Sequence, residues 1–146
     1  GNAGVHLCHG MSYPVSSMLR HYHAPGYPYD HALVPHGVSV VLTAPAVFRF
    51  TAQACPERHL RAAEVLGSEV SSVDVDEAGE VLADRLMQLI EQLELPNGLE
   101  ALGFSDADAP ALARGTLPQH RVTKLSPRPA NEEDLVSLFL RSMKIW

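Results

Sequence analysis

The residues of this 146-residue chain best suited to chemistry fall in two histidine-centred runs, His6-Leu7-Cys8-His9-Gly10-Met11-Ser12-Tyr13-Pro14 and Val34-Pro35-His36-Gly37. Neutral imidazole is the commonest metal ligand among side chains. On a helix, His6 and His9 share a face at i, i+3, and His9 and Tyr13 do so at i, i+4. In the second run proline fixes the approach of the chain to a helix start, and Gly37 permits close contact with a neighbouring group. Each run alone is weak, because a histidine on an apolar helix is more often a hydrogen-bonded core residue than a ligand. Cys8 beside His9 invites a thiol nucleophile, but adjacent helical residues point about 100° apart, which disfavours a direct pair. The sequence holds no HExxH, paired CxxC, phosphate loop, nucleophile elbow or glycine-rich dinucleotide turn.

The elements that must position these residues read as helices. A mixed apolar segment runs from Val5 to Leu19 and ends before Ala24-Pro25-Gly26-Tyr27-Pro28, which forces a loop. His36 to Cys55 is nearly uncharged and long enough for a buried helix, with Pro45 bending or dividing it; its β-branched content leaves a strand as the alternative. Pro56-Glu57 opens a short helix that Gly67 closes. Asp74 and Glu77 resemble a cap, and beyond them Leu82, Leu86, Leu89 and Leu93 mark an amphipathic helix stopped by Pro96-Asn97-Gly98. Ser105 to Asp108 is a second capping box, for a helix ending near Gly115. Ser126-Pro127-Arg128-Pro129 reads as extended, and Asn131 to Asp134 caps a last helix carrying Leu135, Leu138, Phe139 and Met143. With no hairpin signal, the expected fold is all-α, with five or six helices.

Charge is distributed unevenly. Residues 1–50 hold only Arg20, Asp30 and Arg49 among the formally charged side chains, yet six of the eight histidines. The rest is acidic, and the chain carries a net −6, which argues against nucleic acid as a partner. This pattern suggests a buried working face on a solvated scaffold. No apolar run reaches membrane-spanning length, and two cysteines, Cys8 and Cys55, make no disulfide framework. Gly1-Asn2-Ala3-Gly4 is neither an initiator nor a signal peptide, and reads as a cut just before or inside a helix of a longer protein.

Taken together, the two runs resemble the signature of the iron-containing (group III) alcohol dehydrogenases. In that family a helix with an H-x-M-x-H-P core is followed by P-H-G opening an apolar helix, as His9 to Pro14 and Pro35-His36-Gly37 are here. Ser126-Pro127-Arg128-Pro129-Ala130-Asn131-Glu132-Glu133-Asp134-Leu135 resembles the family's N-P-R segment. The likeness covers residues 1–146 and implies the C-terminal helical domain of the dehydroquinate synthase-like fold. The nucleotide-binding domain and the first metal-ligand helix would then lie outside the chain.

The resemblance places His9 and His36 on two of the family's metal ligands and Tyr13 where most members have a second, substrate-facing histidine. His6 falls on a position that is not a ligand. Tyr13, Cys8 and the long 27-residue His9–His36 separation resemble one mitochondrial branch. Its implied reaction oxidises 4-hydroxybutyrate to succinic semialdehyde while reducing 2-oxoglutarate to 2-hydroxyglutarate. The implied cofactors are a divalent metal, Fe2+ or Zn2+, and tightly bound NAD(H). Arg20 is the basic residue nearest the first run and the expected anchor for a substrate carboxylate. A homo-oligomer is expected of the complete enzyme, and no activity of these residues alone. The competing readings are a plain NAD(P)-dependent alcohol dehydrogenase or aldehyde reductase of the family, and a non-catalytic helical module.

Overall fold

Eight α-helices and three single 3-10 turns make up the regular structure among residues 4–146, the residues that this computed structural model describes. Gly1-Asn2-Ala3, part of the opening read as a cut just before or inside a helix, lies outside the described residues. The helices are α1 (Leu7–Ser17), α2 (His36–Val41), α3 (Ala44–Ala52), α4 (Pro56–Val65), α5 (Ala78–Gln92), α6 (Ala109–Thr116), α7 (His120–Thr123) and α8 (Glu132–Met143). No strand forms among the described residues; the backbone bridge His23–Leu33 closes the neck of the long α1–α2 loop. No helix there is long and apolar enough to cross a membrane.

Packing runs through α1 and α3. α1 lies against α2, α6 and α7, while α3 joins α5 and α8 to the α4 side. Their shared core includes Leu7, Met11, Val15, Leu42, Val47, Ile90, Leu112, Leu135 and Phe139. Gly10 makes the close approach of α1 to α7 possible, because a Cβ there would stand 2.6 Å from the Thr123 methyl. Pro14, inside α1, removes a helical hydrogen bond. Its ring fits because α6 offers Gly115, where a Cβ would lie 2.8 Å from that ring.

Several expectations are refined. The 36–55 segment is divided, not bent: α2 ends at Val41 and Pro45 sits in the first turn of α3. Thr43 between them is fully buried and donates to the Val40 carbonyl at 3.0 Å. His6 precedes α1 as its cap residue, so it is not on the helix with His9. Leu93 is 67% exposed because α5 ends at Gln92 and the chain turns through Glu94 at φ 54°; Ala83 and Ile90 are buried instead. Ser126 to Arg128 forms bends, not an extended run. α7 has no counterpart in the expected elements.

Of the three expected caps, those at Ser105/Asp108 and Asn131/Asp134 form capping boxes, while Asp74 caps by accepting the Asp76 N–H at 3.0 Å without a reciprocal bond from Glu77. The Asn131 side chain accepts the Asp134 N–H at 2.8 Å, and the Asp134 carboxylate accepts the Asn131 N–H at 3.0 Å. Asn131→Ala should therefore destabilise the chain by about 1 kcal/mol. Thermal unfolding checks this: an unchanged Tm would mean that α8 is held by its apolar face alone.

Candidate metal centre

His9 lies in the first turn of α1, and His36 is the first residue of α2. The two rings stand edge-to-face with centroids 5.3 Å apart and planes at 65°. The backbone under each histidine is secured in the same way. Ser12 donates to the His9 carbonyl at 2.8 Å, and Ser39 donates to the His36 carbonyl at 2.8 Å. Both serines are fully buried. The Ser16 hydroxyl reaches Ser39 at 3.5 Å and links the two helices. The serines were missed in the sequence, although His9-Gly10-Met11-Ser12 and His36-Gly37-Val38-Ser39 repeat one H-G-x-S pattern.

The rings suit a metal. Neither forms a hydrogen bond to protein among the described residues, His36 is exposed and His9 is half-buried. Burial, then the neighbouring His36, holds His9 below the ordinary imidazole range, which favours the neutral form that ligates. Two imidazoles on one tetrahedral ion, with metal–nitrogen bonds of about 2.0–2.1 Å, set their centroids about 5 Å apart, close to the separation seen. Two imidazoles are fewer than the three or four protein ligands of a firm site, and among the described residues no group of three or more His, Cys, Asp or Glu could hold an ion.

Other candidates fall elsewhere. Tyr13 is half-buried one turn beyond His9, and its hydroxyl has no protein partner among the described residues. Arg20 donates from Nη2 to Asp108 Oδ1 at 2.7 Å, tying the end of α1 to the cap of α6, and nothing directs it at the histidines. Cys8 is buried, and burial pushes its thiol up to about 12; it is no nucleophile at neutral pH. Gly37 has open space where its Cβ would be, so no group of the described chain makes the close contact expected there.

His6 has a different place. Its Nδ1 is buried without a partner, and its ring meets Phe48 edge-on at 6.2 Å. Burial first, then His59 and His9, lower its pKa. The unfolded chain therefore binds a proton at higher pH than the native chain does, so stability rises with pH across that interval. Acidification through about 6.5 should lower the Tm, and the loss should level off below the depressed native value. His6→Gln should flatten this slope; an unaltered slope would assign it to other groups.

The chain matches the model of the Fe-containing alcohol dehydrogenase family, C-terminal, over residues 1–143. The chain belongs to the iron-containing alcohol dehydrogenase family. Within it, the chain is 60% identical over all 146 residues to the hydroxyacid-oxoacid transhydrogenase, mitochondrial, of Pongo abelii and 59% identical to that of Homo sapiens. A probable enzyme of the same name from Dictyostelium discoideum is 50% identical over 147 residues. All of this chain is covered in each case, but only 31%, 31% and 27% of the relatives' own lengths. The chain thus spans about a third of the relatives it matches. Among solved structures, a 1,3-propanediol oxidoreductase superposes with TM-score 0.74 at 25% identity, covering 92% of this chain and 32% of that one. An alcohol dehydrogenase from Oenococcus oeni gives 0.76 at 24% identity, covering 94% and 32%. The all-α fold is therefore that of this family's C-terminal domain.

Proposed function

We propose that this chain supplies the helical, metal-binding part of a mitochondrial hydroxyacid-oxoacid transhydrogenase. The observation that carries the reading is the His9–His36 pair, two imidazoles with no protein hydrogen-bond partner among the described residues and centroids 5.3 Å apart, in a chain 56–60% identical to several enzymes of that name. The substrates are 4-hydroxybutyrate as hydride donor and 2-oxoglutarate as acceptor. The other two ligands and the nucleotide-binding domain belong to the part of such enzymes that this chain does not cover, and the complete enzyme is a homo-oligomer.

When bound, a divalent iron or zinc ion polarises the substrate hydroxyl and a nicotinamide carries the hydride. His9 and His36 would hold that ion, with Ser12 and Ser39 bonded to their backbone carbonyls. Tyr13, one turn along α1, offers a phenol that donates a hydrogen bond to the substrate oxygen or accepts one from it. The half-buried setting of His9 limits its exposure to water, while exposed His36 faces the approach side. If the nucleotide were not exchanged between half-reactions, the same site would have to admit a hydroxy acid and then an oxo acid.

The complete protein tests this directly. Incubated with 4-hydroxybutyrate and 2-oxoglutarate and no added nicotinamide, it should form 2-hydroxyglutarate. Turnover that appears only with added NAD(P) would instead identify a cofactor-releasing alcohol dehydrogenase of the family.

A further inference from the structure

A cavity of about 310 Å³ lies between α3, α8 and the bends at 126–128, and shares no lining residue with the histidine pair. Three arginines reach it from three elements: Arg49 of α3, Arg128 of the bends and Arg141 of α8. Arg49 is already neutralised, with Nε 2.5 Å from Glu80 Oε2 and Nη2 3.2 Å from Asp84 Oδ1. Arg128 is held without a counter-charge. Its Nη1 donates to the Phe50 carbonyl at 3.1 Å and to Gln53 Oε1 at 2.8 Å, and its Cζ sits 4.0 Å over the Phe50 ring.

Those contacts fix the plane of the guanidinium and suit the negative end of α3. They leave its Nε and Nη2 hydrogens with no protein acceptor among the described residues. No carboxylate there lies within ion-pair distance of Arg128 or Arg141. The other acid on the wall, Asp134, uses Oδ2 to accept the Asn131 N–H at 3.0 Å. The exposed Ser137 on the same wall offers a hydroxyl with no protein partner. Two unpaired guanidiniums therefore face one cavity in a chain that is acidic overall.

We propose that this cavity binds a small oxyanion, with one oxygen edge on the free side of Arg128 and another on Arg141. Planar guanidinium forks match two-oxygen groups, and such charge-assisted bonds are about twice as strong as neutral ones. Phosphate and carboxylate share this chemistry, and an occupant of either kind would join α3, the bends and α8 across the cavity.

Titration of the 15N-labelled full chain at constant ionic strength tests the site, with inorganic phosphate in one arm and succinate in the other. Saturable shifts of the Arg128 and Arg141 Nε–H signals are expected, with a Kd on the order of 1 mM. Saturation by phosphate alone assigns a phosphoryl ligand, and by succinate alone a carboxylate. Arg141→Gln, on the exposed side of α8, should weaken binding roughly tenfold with the Tm unchanged. Arg128→Lys, which keeps the charge and loses the fork, should also weaken it. Shifts that stay linear with both anions, or binding equal in wild type and both variants, would overturn the proposal.

Discussion

His36→Ala should leave the helices intact and lower the metal affinity of the complete protein by at least about a hundredfold, the upper end of what loss of a supporting group around a metal costs. The fold is expected to tolerate the change because His36 is exposed and its ring bonds to no protein group among the described residues. The clamp from Ser39 is made to the backbone carbonyl, which alanine retains. A surface change of that kind alters stability by about 0.5 kcal/mol or less. His9→Ala should lose metal equally but cost more stability, since His9 is half-buried on α1. Metal content after gel filtration and the Tm of each variant separate the two effects. Full metal occupancy in folded His36→Ala would remove His36 from the ligand set. Parallel loss of metal and of turnover in both variants would tie the pair to the chemistry.

The helices were legible where their determinants are local. The capping boxes at Ser105 and Asn131 each lie within four residues and form as expected. α7 was not legible, since four residues carry no period, and its place depends on Thr123 meeting Gly10 of α1. Pro45 is compatible with a bent helix or two helices; the choice rests on burying Thr43 with its hydroxyl on Val40. Leu93 continues the leucine spacing past the point where the backbone stops being helical.

The charge-poor front is buried along most of α1 and α3, but the loop from Arg20 to His31 is largely exposed, including Tyr27 and Tyr29. Its composition marked low charge without distinguishing these two surroundings. His9 and His36 were legible as ligand types, but they lie 27 positions apart in the chain and only the packing of α1 on α2 brings their rings together. The repeated H-G-x-S is too short to be specific. It acquires meaning once both serines are seen on the carbonyls of both histidines.

Gly98→Ala should be among the most damaging small substitutions in the chain, at about 3 kcal/mol or more. Gly98 is buried at φ +75°, a conformation that costs an L side chain roughly 1–2 kcal/mol. A Cβ there would also stand 2.3 Å from the Met143 carbonyl oxygen and 2.7 Å from that of Ser142. Those atoms are backbone and cannot rotate away, so the 97–99 segment or the end of α8 must move. That movement breaks a clasp in which Leu99 N–H donates to the Ser142 carbonyl at 2.9 Å. Asn97 Oδ1 meanwhile accepts the N–H groups of Ile145 and Trp146 at 2.9 and 3.1 Å. Gly103 is the control, with φ +92° and nothing within 4 Å of its Cβ position. Gly103→Ala should cost only the conformational part, about 1–2 kcal/mol. For about 150 residues each kcal/mol lowers the Tm by roughly 2–4 °C, so Gly98→Ala should melt distinctly below Gly103→Ala. Equal losses would show that the clasp gives way without cost, and that α8 is anchored through its apolar face on α6 and α3.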